Sequence, residues 1–417
     1  MPLPGWERSK REALRVRVMP PQGESRRMNA ATTPPLEFGP LIEEAQRRTG
    51  LTDFGSEWFF EPMTVMLNAI HREARLSDAG KGLQAETIVN SLVMRMKTND
   101  AVKRNPELRD EKVDVAATIV ALHRTGSTLT HRMLSSAPSM TAIAWWECQF
   151  WVPFDGEARG KPVQRRAAAQ EKLDMWLKGM PDLMSIHPMD LDQPDEETTI
   201  LEASFCGLSP ESFLWIPSYA EWSAQADFAP AYEDLRLALK YLQWQDPARK
   251  GKSWILKTPS HLTAPETLAK AFPESLIVMT HRDPLKTTPS FASMTYTLHT
   301  FQSNEVDPAR LGNHWAKRLS KLMDRLLDAR AQIGEDRFVD LKYEALVKAP
   351  LDAAREVYRR MGRTMTAEDE AAMRAWLAAN GRDNRPSHQY SLEKFGLSAE
   401  QLAQDFKRYR ERFILAA

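Results

Sequence analysis

The chain is organised around residues 113–138, which read VDVAATIVALHRTGSTLTHRMLSSAP. From Val113 to Leu122 the residues are apolar and partly β-branched, over a length typical of a buried strand. Small polar residues follow at 123–128, and apolar residues then recur at helical spacing until Pro138. The stretch predicts a strand, a tight turn and a helix start. Free backbone N–H groups and the positive helix end can bind an anion at such a corner.

The turn differs from the nucleotide triphosphate loop G-x-x-x-x-G-K-[ST]. Aligned on Gly126, the first glycine position is Ala121 and the lysine position is Ser127, so both required residues are absent. Arg124 instead precedes Gly126 by two positions and supplies a planar charge suited to phosphate or sulfate, and Ser127 and Thr128 add hydroxyl donors. An ordinary strand–turn–helix corner of an α/β protein would also fit, so a second motif is needed.

Composition limits the class of protein. A chain of 417 residues is one large domain or two small ones. Its 56 basic and 56 acidic residues give a formal net charge of zero, which argues against a dedicated nucleic-acid binder. Two cysteines without a CxxC spacing favour a reducing, cytoplasmic location. No apolar run reaches the length of a membrane span, and the first residues lack the apolar core of a signal peptide.

Patterning divides the chain into three regions. Residues 1–40 combine basic residues with proline and serine and predict a disordered basic tail. Apolar residues recur at helical spacing through 41–110, which predicts a helical lead-in packed on the core. Residues 111–417 are expected to form the α/β domain. Within them we predict helices at 164–178 (exposed), near 231–243, and at 264–271, 311–333, 351–361, 366–379 and 398–413, with a loop at 384–397.

Further strands are predicted at three short apolar runs, beginning at Trp254, Ser275 and Arg337. Because strands and helices alternate, we expect a parallel sheet flanked by helices, with a helical C-terminal part. Ligands bind at the carboxyl ends of the strands in such sheets. The cationic or titratable residues at or just past those ends are Arg124, Lys257, His261, Arg282 and Tyr343.

The second motif is a pair of residues, Arg282 and Ser290. Sulfotransferases bind the 3′-phosphate of 3′-phosphoadenosine-5′-phosphosulfate (PAPS) with an arginine and a serine at this spacing. Together with Arg124-Thr125-Gly126-Ser127-Thr128, the pair makes the chain resemble the PAPS-dependent sulfotransferase superfamily, whose fold has a P-loop-like parallel sheet. It is most similar to the bacterial group that carries Leu-Lys-x-Pro-x-His-Leu, His-Arg-Asp-Pro and Tyr-Ser-Leu-x-x-Phe-Gly-Leu. These motifs stand here at 256–262, 281–284 and 390–397, and the resemblance covers roughly 50–413.

The resemblance implies a metal-independent, in-line transfer of a sulfuryl group from PAPS to a small-molecule hydroxyl, leaving adenosine 3′,5′-bisphosphate. It implies that Arg124, Ser127 and Thr128 hold the 5′-phosphate and that Lys257 contacts the bridging or sulfuryl oxygen. Arg282 and Ser290 would bind the 3′-phosphate. Leu129 stands where the cytosolic branch stacks adenine on a tryptophan. We therefore expect Tyr343 to hold the adenine.

The acceptor and the assembly are less defined. The aromatic segments 141–154 and 213–244 suggest an apolar or aromatic alcohol or phenol. The chain is expected to act as a monomer or a homodimer. Two other classes remain open at this point. One is a P-loop kinase-like phosphotransferase, which would need a loop lysine and magnesium, and the other is a non-catalytic nucleotide-binding module.

The acceptor hydroxyl needs a general base, for which the sequence offers three carboxylate or imidazole groups. His261 follows Lys257 by four positions and titrates near neutral pH. Glu147 follows the first helix, where several sulfotransferases place a catalytic glutamate. Glu197 could orient His261. We favour His261 as the base, with Glu147 second.

Each candidate also has an ordinary structural interpretation. His261 could cap the following helix, and Glu147 could be a polar residue bonded among tryptophans. For Glu197 the alternative is a helix that begins at Pro194, with 195–197 as acidic residues in its first turn.

Overall fold

The central sheet has five parallel strands in the part of the chain that the computed structural model describes, residues 34–181, 184, 189–380 and 391–416. The strand order is β2-β3-β1-β4-β5. The bounds are β1 (Val115–Ile119), β2 (Met140–Thr141), β3 (Ser253–Lys257), β4 (Leu276–His281) and β5 (Phe338–Lys342). The predicted α/β class is confirmed. The two-residue strand β2 was not predicted.

Helices surround this sheet. In chain order they are α1 (Phe38–Thr49), α2 (Phe60–Glu73), α3 (Asp78–Arg104), α4 (Ser127–Ser135), α5 (Trp145–Gln149), α6 (Val163–Gly179), α7 (Thr198–Glu202), α8 (Ser209–Phe213), α9 (Pro217–Ser223), α10 (Ala229–Gln245), α11 (Pro265–Ala271), α12 (Pro284–Gln302), α13 (Pro308–Ile333), α14 (Tyr343–Lys348), α15 (Pro350–Arg360), α16 (Ala367–Ala379), α17 (Ala399–Asp405) and α18 (Lys407–Phe413). Short 3-10 turns lie at Pro106–Asp110, Pro247–Arg249, Pro259–Thr263, Glu335–Arg337 and Glu393–Phe395. In the described residues no helix is long and apolar enough to cross a bilayer.

Register brings the candidate residues to one edge of the sheet. Ile119 at the end of β1 is the partner of Lys257 at the end of β3. At the end of β4, His281 is the partner of Lys342 at the end of β5. The loop after β1, Lys257 and the residue that follows His281 therefore lie close together, as expected for the carboxyl edge of a parallel sheet.

Both faces of the sheet are buried. One face packs on α4, α15 and α16 through Met133, Val357 and Met373. The other packs on α10 and α13, where Leu239 and Trp315 are fully buried. Sheets buried on both sides need apolar residues at successive positions, which is why the three central strands, β3, β1 and β4, are buried throughout and largely apolar.

The helices α1–α3 form their own cluster with the segment 205–219. Most of the predicted tail, residues 1–33, and residues 384–390 of the predicted loop lie outside the described residues. The three-region division remains a prediction.

Two helix predictions were wrong. Residues 398–413 form α17 and α18 instead of one helix. No helix begins at Pro194, which pairs with Ala144 in an antiparallel bridge, and α7 begins only at Thr198. The acidic residues 195–197 therefore precede the helix and do not lie in its first turn. Their side chains contact Arg132, Lys257 and His261, respectively. The segment 208–247 also contains α8 and α9, which were not predicted.

Candidate active site

The loop between β1 and α4 is shaped by two residues with positive φ. Arg124 has φ 67° and Gly126 has φ 95°. A Cβ atom on Gly126 would lie 2.8 Å from Leu346 Cδ2, so glycine is needed both for the backbone and for space. The loop delivers the chain into α4 at Ser127, where the first N–H groups of the helix have no intrahelical partner. This arrangement is suited to an anion.

The side chains of the loop point in two directions. The Thr125 hydroxyl is fully buried, donates to Leu122 O at 2.7 Å and lies 2.7 Å from Thr280 Oγ1. Thr125 therefore anchors the loop to β4, and only its backbone can serve a ligand. Arg124, Ser127 and Thr128 line a cavity instead.

Lys257 lies just behind the cavity wall beside the loop: it is only 2% exposed and is not itself a lining residue. Its ammonium donates to Glu196 Oε1 and lies 3.5 Å from Thr128 Oγ1. The predicted proximity of Lys257 to the loop is therefore observed. Glu196, which lines the cavity, was missed as a functional candidate because its local sequence suggested a helix start.

His261 and Glu197 form a buried group beside Lys257. Glu197 Oε1 lies 2.7 Å from His261 Nε2, and Glu197 Oε2 accepts from the Lys257 backbone N–H at 3.0 Å. The other imidazole nitrogen, Nδ1, is 2.8 Å from the Tyr232 hydroxyl. Burial opposes ionisation of Glu197, but these hydrogen bonds hold its pKa below the usual value. The structure thus brings Glu197 to His261, while both imidazole nitrogens are occupied and His261 is not a cavity-lining residue.

Glu147 lies in a different buried ion pair. Both of its carboxylate oxygens accept from Arg249 Nη2 at 2.7 Å, and Oε2 also accepts from the Ala144 N–H at 2.9 Å. Glu147 is not among the residues that line the cavity. Its immediate surroundings match the structural interpretation, and the contacts do not bring it to Lys257.

Arg282 lies against the other side of the loop. Its Nη1 donates to Arg124 O at 3.1 Å, and its guanidinium lies 4.2 Å from the centre of the Tyr343 ring. The Nε of Arg282 is buried and has no hydrogen-bond partner in the described part of the chain. Tyr343 packs on Gly126, since its Cδ2 is 3.2 Å from the position of a Cβ there. Ser290 is buried on α12.

The cavity extends from the loop into an apolar interior and has a volume of about 240 Å³. The polar residues at the loop end are Arg124, Ser127, Thr128, Glu196 and Thr258. Away from the loop the walls come from α2, α3, α6, α8 and α12, with Met66, Leu83, Trp176, Phe213, Leu298 and Phe301. Helix α6, predicted to be exposed, covers this end. Trp145 and Phe213 are the lining aromatic residues from the two predicted aromatic segments, 141–154 and 213–244.

Electrostatically, the loop end combines the buried Lys257 and the half-buried Arg282 with a helix start. Lys257 is paired with Glu196, whereas Arg282 retains a donor that no described residue uses. Among the described residues there is no group of three or more His, Cys, Asp or Glu side chains that could hold a metal ion. The arrangement can bind a compound with separated negative groups beside an apolar partner.

Comparison with known proteins agrees with this geometry. A family model described as "Sulfotransferase family" matches residues 117–367. Omega-hydroxy-beta-dihydromenaquinone-9 sulfotransferase Stf3, from Mycobacterium bovis and Mycobacterium tuberculosis, is 25% identical over 311 residues, which are 70% of this chain and 74% of Stf3.

Two solved structures are also similar. The crystal structure of sulfotransferase STF9 from Mycobacterium avium matches with a TM-score of 0.80 and 28% identity, covering 90% of this chain and 96% of STF9. Sulfotransferase STF1 from Mycobacterium tuberculosis matches with a TM-score of 0.74 and 27% identity, covering 88% of this chain and 97% of STF1.

Proposed function

Because this chain belongs to the sulfotransferase family, we propose that it transfers a sulfuryl group from PAPS to the hydroxyl of an apolar small molecule. One observation carries the proposal. The anion-binding loop lines one end of a largely apolar cavity through Arg124, Ser127 and Thr128. At this junction the buried cation Lys257 contacts two lining residues, Thr128 and Glu196. A charged donor and an apolar acceptor can therefore meet at Lys257.

The residues around the loop suit a donor with two separated phosphates. The start of α4, with Arg124, Ser127 and Thr128, would hold the 5′-phosphate. Arg282 would bind the 3′-phosphate, because its buried Nε is a donor that lacks an acceptor. Ser290, eight positions later on α12, would add a hydroxyl. Tyr343 packs against the loop glycine and under Arg282, where it could contact the nucleoside.

The chemistry follows from these positions. The bound donor supplies an activated sulfuryl group. The acceptor oxygen forms a bond to sulfur in line with the breaking bond between sulfur and the bridging oxygen. Lys257 would stabilise charge on the sulfuryl and bridging oxygens, and Arg124 with the start of α4 would stabilise the departing phosphate. The acceptor proton must pass to a base that lines the cavity.

For that base we assign Glu196 in preference to His261 and Glu147, the two groups that the sequence analysis favoured. Glu196 lines the cavity and contacts Lys257, so both lie at the junction. His261 has both nitrogens occupied, and Glu147 is held by Arg249. When Lys257 turns to the sulfuryl oxygens, Glu196 loses its partner and can accept a proton. His261 and Glu197 would then position the backbone of Lys257.

Single-turnover rates at saturating donor separate these assignments. Glu196→Gln should lower the rate about 100- to 10,000-fold while the affinity for adenosine 3′,5′-bisphosphate stays within a few-fold of the wild type. His261→Asn should lower thermal stability. Its turnover rate per folded molecule should fall less than that of Glu196→Gln. If His261→Asn loses turnover and Glu196→Gln keeps a near-normal rate, His261 is the general base and the assignment to Glu196 is wrong.

The acceptor class rests on the cavity walls and on one relative. The walls away from the loop are mostly apolar or aromatic. Stf3, at 25% identity, is named for an omega-hydroxylated dihydromenaquinone. For this chain we propose an apolar alcohol or phenol whose hydroxyl reaches Lys257 while its apolar part fills the cavity.

The donor assignment is tested by ligand stabilisation and by turnover with a chelator. Adenosine 3′,5′-bisphosphate should raise the unfolding temperature, whereas ATP with magnesium should not. Sulfuryl transfer from PAPS to a panel of apolar alcohols and phenols should persist with chelator, because the stabilising charges belong to the chain. If ATP with magnesium raises the unfolding temperature and adenosine 3′,5′-bisphosphate does not, the donor assignment is wrong.

A further inference from the structure

Three polar side chains stand out at the apolar end of the cavity: Lys172, Trp176 and Glu202, here called the distal triad. Glu202 Oε1 and Trp176 Nε1 are buried and lack a hydrogen-bond partner in the described residues. The Lys172 ammonium lies 5.6 Å from the centre of the Trp176 ring. Buried polar atoms without partners are costly and uncommon, so two of them beside a lysine ammonium indicate a role.

Other polar residues of the same cavity are satisfied within the protein. Gln84 donates to Gln302 at 2.6 Å, Thr87 donates to Leu83 O at 2.9 Å, and Ser212 donates to Leu208 O at 2.9 Å. These three polar side chains of the cavity wall are therefore bonded within the protein. The distal triad departs from that pattern.

Lys172 and Trp176 lie away from the reacting groups, whereas Glu202 lies nearer to them, because, besides burial, the charge of Glu196 also raises its pKa. Helix α12 starts two residues after Arg282 and extends about 27 Å to Gln302, by the rise of an α-helix. Phe301, near its far end, packs so closely on Gly179 at the end of α6 that a Cβ there would lie 2.3 Å from the ring. Lys172 and Trp176 belong to α6. Glu202 is one helical turn beyond Thr198, whose hydroxyl bonds Ser260 after β3.

The charges of Lys172 and Glu202 are also incompletely compensated by the protein. Burial raises the pKa of Glu202 to about 8, against a smaller opposing effect of Lys172. Burial lowers the pKa of Lys172 to about 8. The two groups thus influence each other across the cavity, but the described contacts include no direct ion pair between them. A neutral ligand group can lie between them without adding charge.

We propose that the distal triad binds a second hydroxyl of the acceptor, so that the preferred acceptor is an elongated apolar diol. One hydroxyl reaches Lys257 and reacts. The other accepts a hydrogen bond from Lys172 or Trp176 and donates one to Glu202, which satisfies the groups that lack partners. This inference rests on the proposed function and narrows its acceptor class.

The test is calorimetric titration of the full chain with α,ω-diols of increasing length and with the matching primary alkanols. It is done with and without adenosine 3′,5′-bisphosphate. In the wild type the affinity ratio of diol to alkanol should reach a maximum at a fitting length. In Glu202→Met this ratio should fall about 10-fold or more. Ser212→Ala removes a cavity hydroxyl that is bonded within α8, so it should keep the wild-type ratio.

Two results would overturn the proposal. One is a wild-type ratio that does not change along the series, and the other is a ratio that Glu202→Met leaves unchanged. The nucleotide titration reports separately on the proposed function. Absence of adenosine 3′,5′-bisphosphate binding would refute the donor assignment, while the alcohol titration without nucleotide would still decide the role of the distal triad.

Discussion

Replacing Arg282 by alanine should remove the recognition of the donor 3′-phosphate and leave the chain folded. In the free protein the Arg282 side chain donates to Arg124 O at 3.1 Å and stacks on Tyr343 at 4.2 Å. A hydrogen bond of this kind contributes about 0.5–1.5 kcal/mol, and an exposed or partly buried cation–π contact about 0.5–2 kcal/mol. Their loss is small beside a typical unfolding free energy of about 5–15 kcal/mol.

The effect on the donor should be larger and specific. A hydrogen bond to a charged group contributes about 1.5–3 kcal/mol, which is about a 10- to 150-fold change in dissociation constant. Calorimetry with adenosine 3′,5′-bisphosphate and with adenosine 5′-monophosphate separates the two phosphates. The wild type should prefer the bisphosphate, and Arg282→Ala should lose that preference, while its affinity for the monophosphate changes little.

Two control variants show whether the effect belongs to the phosphate. Arg282→Lys keeps the charge but not the Nε donor, so its preference should lie between those of the wild type and Arg282→Ala. Arg310→Ala removes a comparable stacked arginine, 4.4 Å from the Trp215 ring, and should change neither affinity. An unchanged ratio of the two nucleotide affinities in Arg282→Ala would refute the 3′-phosphate assignment.

Three further changes test the surroundings of the site. Glu147→Gln should destabilise the fold by about 3 kcal/mol in chemical unfolding because it leaves Arg249 buried without its carboxylate, yet keep turnover; normal stability with lost turnover would make Glu147 the base. Gly126→Ala should abolish nucleotide binding in calorimetry, since φ is 95° and the new Cβ would lie 2.8 Å from Leu346 Cδ2, and near-normal affinity would contradict this geometry. Burial, with the nearby Lys257 charge, lowers the pKa of His131 to about 4. Because the unfolded chain binds this proton below about pH 6.5 and the folded chain does not, stability should fall as pH drops from about 6.5 to 4, by up to about 3 kcal/mol. His131→Gln should show a smaller loss over that range in pH-dependent unfolding, and an equal loss would assign the effect to other groups.

The strands and the loop could be predicted because their signals are local. Parallel strands buried on both faces require continuous apolar runs, and β1, β3 and β4 each have one. The edge strand β5 is apolar only in part, since Asp340 and Lys342 are exposed. Gly126 followed by Ser127 and Thr128 marks a turn into a helix whatever the rest of the chain does. The position of Lys257 at the same sheet edge as the loop followed from the expectation of a parallel sheet, since both lie at carboxyl ends of strands. That β3 lies next to β1 was not predicted.

The partners of the buried charges could not be predicted in this way. Glu196 precedes a helix, and its acidic neighbours fit a helix dipole, but its partner Lys257 is 61 positions away. Glu147 lies among tryptophans in sequence, while its partner Arg249 is 102 positions away. Burying a carboxylate is favourable only with a partner, and that requirement overrides the weaker preference for a helix start. Sequence spacing shows the preference and not the partner.

The need for a partner also explains why Lys257 is paired with Glu196. Arg282, on the other side of the loop, keeps one N–H donor that no described residue accepts. Lys257 is 2% exposed and would be costly to keep charged without a counter-ion, and Glu196 supplies it. In the proposed reaction the sulfuryl oxygens take over that role, so donor binding would free Glu196 at the place where the acceptor hydroxyl arrives. Arg282 donates to Arg124 O through Nη1 and stacks on Tyr343, which holds the guanidinium in place. Its Nε–H has no acceptor in the described residues and is proposed to bind a phosphate. The proposed base thus becomes available only when the donor is in place, which links the anion-binding loop to the apolar cavity through a single ion pair.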